Sequence, residues 1–210
     1  MTSTPDPAAH THWEDVYRRK AADAVSWYRP HLDTSLGLLR RAGLSPASRV
    51  IDVGGGASTL VDDLIGFGVA HVTVLDLSAH ALSVARERLG ERADNVEWLA
   101  ADLLAAPLTE AGFDLWHDRA VLHFLTDPEA AAQYARQAAR AIGPGGHAVI
   151  GGFAPDGPER CSGLLVARRS AEDIAALLGP AFRLVEQRQE RHITPGGGEQ
   201  AFDWALLHRE

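Results

Sequence analysis

Hydrophobic and polar positions follow two different periods along this chain. Near its start Trp13, Val16, Tyr17 and Lys20 recur at helical spacing, and after a break at Trp27-Tyr28-Arg29-Pro30 a second helical set, Leu32, Leu36 and Leu39, runs to Gly43. From Arg49 onward short β-rich runs alternate with helical stretches. Strands are predicted over 49–53, 71–76, 95–100, 113–116 and 147–153. Between the first two lies a helix near 59–67, stopped by Gly66 and Gly68. The next is opened by Ser78 as N-cap, turns Leu82, Ala85 and Leu89 inward, and closes at Gly90. Asp127-Pro128 starts a helix bearing Ala131, Ala135, Ala138 and Ile142, which Gly143-Pro144 ends. Crossovers of this length return each strand in the same direction, so the sheet is expected to be parallel. After a loop rich in glycine and proline, Ser170-Ala-Glu-Asp173 opens a helix that Gly179-Pro180 stops. Two runs, 182–192 and 200–208, joined by Thr194-Pro-Gly-Gly-Gly198, predict an antiparallel pair at the sheet edge.

The expected architecture is an α/β, doubly wound, Rossmann-like sheet of seven strands with an antiparallel C-terminal pair and an N-terminal helical cap. With 210 residues it fits one domain. Its parts are a flexible tail over 1–9, a helical cap or lid over 10–43, and the sheet domain over 44–210. A composition of 46% hydrophobic and 23% charged residues suits an ordinary folded core. Neither a membrane-length apolar run nor the regions of a signal peptide are present, and a cytoplasmic protein is expected. A formal charge of -8 argues against nucleic acid or anionic lipid as partner and favours a small or neutral one. Cys161 is the only cysteine, which rules out an internal disulfide and multi-thiolate metal sites.

Val50-Ile-Asp-Val-Gly-Gly-Gly-Ala-Ser58 reads as a strand entering a glycine turn and then a helix, the layout in which backbone amides meet a ligand at a strand's carboxyl end. Gly54 and Gly56 admit a ligand to the main chain; a tight β-to-α connection alone would need the same glycines. Asp76 ends the second strand, where an acid accepts hydrogen bonds from a ribose diol, and Asp102 follows the third. A carboxylate at Asp52, inside the strand end, would repel a pyrophosphate and suits a cationic ligand.

These residues resemble the class I, seven-stranded S-adenosylmethionine-dependent methyltransferases, from Arg49 to the C-terminal hairpin. The resemblance implies S-adenosyl-L-methionine as cofactor. Asp52 with Gly54, Gly55 and Gly56 would meet its methionine part, Asp76 its ribose and Asp102 its adenine amino group, with Leu77 and Leu103 beside the adenine. Gly143-Pro-Gly-Gly146 is similar to the family's helix-to-strand turn. Ser58 stands where the motif has its third glycine, and its hydroxyl is expected to donate to the cofactor carboxylate.

The acceptor side is expected at Phe113-Asp-Leu-Trp-His-Asp-Arg-Ala-Val-Leu-His123-Phe. A proline-rich Asn/Asp-Pro-Pro-aromatic motif is absent, which counts against nucleobase chemistry, and the segment is more like the small-molecule branches. His117 and His123 are candidates for a general base. The competing reading makes His117 a neighbour of the cofactor backbone, Asp118 and Arg119 a structural ion pair, and His123 a packed residue under the sheet. Trp13, Tyr17, Trp27 and Tyr28 either face the substrate or pack a helix on the sheet. Cys161 either contacts a soft substrate or fills space. No metal site is expected. The function expected is methyl transfer to a small-molecule S, N or O nucleophile. The Trp-x-x-x-Tyr opening keeps protein lysine methylation as the alternative, beside a cofactor-binding module without chemistry and a nicotinamide oxidoreductase. The oligomeric state is left open.

Overall fold

The computed structural model describes residues 7–210. Its elements are α1 (Pro7–Arg19), α2 (Asp33–Arg41), β1 (Arg49–Val53), α3 (Leu60–Phe67), β2 (His71–Asp76), α4 (Ala79–Leu89), β3 (Val96–Ala100), β4 (Phe113–Arg119), α5 (Pro128–Ala141), β5 (Ile142–Phe153), the short strands β6 (Arg160–Cys161) and β7 (Leu164–Leu165), α6 (Ala171–Leu178), β8 (Phe182–Ile193) and β9 (Glu199–Arg209). Seven strands make one sheet in the order β3-β2-β1-β4-β5-β9-β8. The pairs among β1 to β5 are parallel, and β9 lies antiparallel between β5 and the edge strand β8. The order reverses between β1 and β4, so a crevice opens there at the strands' carboxyl ends.

Strand alternation divides the core into two layers. Val50, Val74, Leu115, Val149 and Leu206 join α2, α3 and α4 on one face, while Ile51, Leu75, Trp116, Ile150 and Leu207 join α5 and α6 on the other. Helix starts follow from their caps: Ser78 Oγ accepts from Ala81 N–H, Asp127 from Ala130 N–H, and Ser170 with Asp173 forms a capping box.

Three boundaries differ from the sequence expectation. β4 continues to Arg119, because Asp118 and Arg119 still pair with Ile150 and Gly151 of β5. Ile142, expected as the last inward residue of a helix, opens β5 and pairs with Phe113. Helix α1 takes in residues 7–9 of the span expected as a tail; the rest of that span, residues 1–6, lies outside the described residues.

The two N-terminal helices differ in placement. α2 buries Ser35, Leu36, Leu38 and Leu39 and belongs to the core, whereas Ala8, Ala9, His12, Trp13 and Tyr17 of α1 line the crevice. α1 is fastened by Glu14, whose carboxylate accepts from Ser78 Oγ and from His80 N–H, both at 3.1 Å, at the start of α4. Among the described residues no helix is long and apolar enough to cross a membrane.

Candidate functional site

The crevice is a cavity of about 770 Å³ reaching from the tips of β1, β2 and β3 to β4, β5, β6 and β9. That volume lies in the range of sites that take a cofactor or drug-sized ligand. A smaller cavity adjoins it beneath the glycine turn, between Asp52, Gly55, Ser58, Arg29 and Tyr28.

The glycine turn leaves no room for side chains. A Cβ on Gly54, whose φ is +65°, would run into a methyl of Val121. One on Gly55 would stand 2.6 Å from Asp52 Oδ2, and one on Gly56, φ +44°, would stand 2.9 Å from Asp76 Oδ2 and 2.8 Å from the Tyr17 hydroxyl. Only glycine satisfies both the left-handed backbone and the space at Gly54 and Gly56. The Ser58 hydroxyl accepts from Leu60 N–H at 3.2 Å and lines the small cavity.

Three acids stand at the strands' carboxyl ends, Asp52 within β1, Asp76 as the last residue of β2 and Asp102 just past β3. Asp52 is buried; its Oδ1 meets His117 Nδ1 at 2.7 Å and its Oδ2 has no partner. A buried, half-satisfied carboxylate calls for a donor, and the ammonium end of an amino acid supplies one. Asp76 accepts from Ser78 N–H at 2.8 Å, and burial, with Asp52 and Glu14 nearby, holds its carboxyl up at about 7. Asp102 accepts from Leu104 N–H at 2.9 Å and lines the large cavity together with Leu77 and Leu103. An unpartnered oxygen, a second acid at the cavity wall and a cradle of glycines fit the zwitterionic nucleoside implied by the resemblance.

On the acceptor side the structure corrects several expectations. His117 is not a free base: its Nδ1 is held by Asp52 and its Nε2 by Ser35 Oγ at 2.9 Å, so both ring nitrogens are occupied within the fold. His123 does not line the crevice. Its ring is wedged between Phe124 and Phe153, neither nitrogen has a partner, and burial, assisted by Arg169 and Arg119, pushes its pKa down to about 3. Asp118, expected on the substrate side, lines neither cavity. It is consumed by Val121 N–H, Leu122 N–H and the Tyr134 hydroxyl, and thereby shapes the turn after β4 in which Ala120 takes φ +73°. Burial pushes its carboxyl up to about 6. No ion pair joins it to Arg119, whose Nη1 donates instead to the Trp27 carbonyl at 2.8 Å. Tyr28 lines the small cavity and not the large one.

Trp13, Tyr17, Trp27, Arg119 and Cys161 do come together on the large cavity. The rings of Trp13, Tyr17, Trp27 and Phe124 meet mostly edge to face, with centroids 4.9 to 6.4 Å apart. Burial raises the Cys161 thiol to about 11, so it is neutral and unreactive.

Sequence reasoning missed two groups. Arg29 lines the small cavity, held by Glu190 of β8 at 3.0 Å, and its carbonyl is pinned by Thr59 Oγ1. His12 is the imidazole on the wall of the large cavity, with its Nε2 buried and unpartnered. The helical register of α1 was legible and placed Trp13 and Tyr17 together, but nothing local marked which side His12 would face. Among the described residues no three His, Cys, Asp or Glu side chains group as metal ligands.

Comparisons with known proteins bear on the fold. A family model described as a methyltransferase domain matches residues 50–146. The eEF1A lysine and N-terminal methyltransferase of Xenopus laevis is 28% identical over 128 residues, 60% of this chain and 18% of that protein. The ubiquinone biosynthesis O-methyltransferase of Aromatoleum aromaticum is 32% identical over 155 residues, 70% of this chain and 62% of that one. The chain thus spans less than two thirds of the length of both. Among solved structures, the N-methyltransferase NodS from Bradyrhizobium japonicum in complex with S-adenosylhomocysteine superposes with a TM-score of 0.71 at 22% identity, covering 93% of this chain and 97% of the other. The strand order with its reversed β9 is the fold of the class I, seven-stranded S-adenosylmethionine-dependent methyltransferases.

Proposed function

We propose that the protein is an enzyme that transfers the methyl group of S-adenosylmethionine to a small-molecule nucleophile. The observation that carries this reading is a pair of adjoining cavities, with Asp52 at the tip of β1 on the smaller, Asp76 at the tip of β2 and Asp102 after β3 on the larger, and a chamber of aromatic rings at the larger one's other end. When bound, the cofactor supplies an electrophilic methyl group whose bond to sulfur breaks, the pair returning to sulfur, as an acceptor's lone pair forms the new bond.

The chain's own residues do the rest. Asp52 Oδ2 receives the amino end, Arg29 stands where it attracts the carboxylate, Asp76 accepts from the ribose hydroxyls, and Asp102, Leu77 and Leu103 hold the base. Trp13, Tyr17, Trp27 and Phe124 exclude water and confine the acceptor, which is where most of the rate of an in-line displacement arises. His117 orients Asp52 through their 2.7 Å hydrogen bond, acting as a positioning residue.

Titration calorimetry with S-adenosylhomocysteine and, separately, NADH tests the cofactor: tight binding of the first and none of the second is expected, and the reverse would end the reading. Screening thiols, amines and phenols for cofactor turnover then identifies the acceptor class. A second reading, protein lysine methylation, draws on the likeness to the eEF1A lysine and N-terminal methyltransferase of Xenopus laevis. Methyl-labelled cofactor added to a lysate separates the two, since label in protein bands supports lysine methylation and label confined to the low-molecular-weight fraction supports the small-molecule reading.

A further inference from the structure

We propose that the methyl acceptor is bound as an aromatic anion, with Arg119 as its counter-ion. This rests on the methyltransferase reading and adds the substrate class to it.

Arg119 ends β4 at the crevice, on the wall of both cavities. Its Nη1 is used by the Trp27 carbonyl; its Nη2 is buried and has no partner. The guanidinium carbon lies 5.1 Å over the Phe202 ring, so one face is covered by an apolar plane. A buried cation is normally neutralised by a carboxylate, because the cost of leaving it unpaired is large.

The nearby acids are committed elsewhere, the open Oδ2 of Asp52 to the cofactor's amino end on the reading above. Glu190 of β8 is held by Arg29 at 3.0 Å and by the Trp204 indole N–H at 2.9 Å. Asp52 of β1 is bonded to His117, and Asp118 to Val121, Leu122 and Tyr134. The remaining groups that face the guanidinium are Arg29, also positive, and the neutral thiol of Cys161 on β6. The missing negative charge therefore has to arrive with a ligand. A planar fork with a free Nη2 suits an anionic oxygen or sulfur on a flat framework, and the walls around it, Trp13, Trp27, Phe124, Phe153 and Phe202, suit an aromatic body.

The proton balance follows. A phenol, enol or aromatic thiol that arrives ionised brings the electron pair for the new bond and no proton. One that arrives neutral leaves its proton at His12 Nε2, the other unpartnered nitrogen in the wall of the large cavity.

4-Nitrophenol is a direct probe, because its anion alone is yellow. Added to the complex with S-adenosylhomocysteine at a pH below its own midpoint, it is expected to develop the phenolate band on binding, reflecting a preference of roughly tenfold or more for the anion. Arg119→Met should abolish the band and Arg119→Lys should retain part of it, while calorimetry shows S-adenosylhomocysteine affinity changed less than about threefold in both variants. Absence of the band with the native chain, or its persistence in Arg119→Met, overturns the proposal. A loss of S-adenosylhomocysteine affinity of about tenfold or more in Arg119→Met would move the guanidinium to the cofactor's carboxylate and also overturn it. Failure of S-adenosylhomocysteine to bind the native chain overturns the cofactor reading itself, a result distinguishable from the others.

Discussion

At the β1–β3 end, where the small cavity adjoins the crevice, the cavity-lining groups come from consecutive strand tips: Asp52 within β1 and the glycines after it, Asp76 at the end of β2, Asp102 after β3. At the β4–β5 end they are gathered from α1, the loop at Trp27, β4, β6 and β9. The first end is local in sequence and rests on backbone geometry. The second is a meeting of side chains that are distant in sequence. The contrast teaches that a substitution in the glycine turn changes the shape of the site, whereas one in the chamber changes what the site prefers.

The largest effect is expected at Gly54. An alanine there must adopt a left-handed φ and displace Val121, which together cost about 3 to 4 kcal/mol. Binding of S-adenosylhomocysteine should fall below detection by calorimetry, and wild-type affinity in Gly54→Ala would break the comparison. Next is His117→Ala, which leaves Asp52 without its buried partner and should destabilise the fold by about 3 kcal/mol in urea melts. At saturating cofactor its rate profile against pH should keep the same limbs as the native chain, since His117 moves no proton to or from the acceptor. A lost limb would restore it as a base.

Asp76 gives a smaller effect with a defined sign. In the free protein its carboxyl titrates at about 7, so below that pH a ribose that needs the carboxylate must first displace a proton. Affinity for S-adenosylhomocysteine should therefore fall as pH drops below 7, by about tenfold per pH unit at most. Asp76→Asn should weaken binding by about 2 kcal/mol at pH 8 and remove that dependence. The smallest effect is at His123. Its pKa of about 3 in the fold, against 6.5 ordinarily, means the unfolded chain takes up its proton first as pH falls. The histidine thus lends stability above pH 6.5 that is lost progressively on the way down to about 3. His123→Phe should move acid unfolding to lower pH, followed by circular dichroism, and leave methyl transfer within about twofold, being buried clear of the crevice.

The same contrast explains what the sequence made legible. Ser78, Asp127 and Ser170 with Asp173 marked helix starts because capping is a local hydrogen bond. The acids of the first end were readable because each sits at or just past a strand's carboxyl end. The histidines were not: whether His117 faces the acceptor or Asp52 depends on strand pairing between β1 and β4 and on Ser35 arriving from α2. Arg119 was singled out beside Asp118, yet its lack of a counter-ion shows only once Glu190 is seen to be occupied by Arg29 and Trp204, residues far apart in the chain. His12 was hidden for the same reason, since a helical pattern gives a face but not its neighbours.

The clasp between Glu14 and the start of α4 has a kinetic consequence. One carboxylate fastens the helix whose Trp13 and Tyr17 roof both halves of the crevice. On the function proposed above, the spent nucleoside and the methylated product would share one exit beneath α1, and the lifting of that helix from α4 would then bound the rate of turnover.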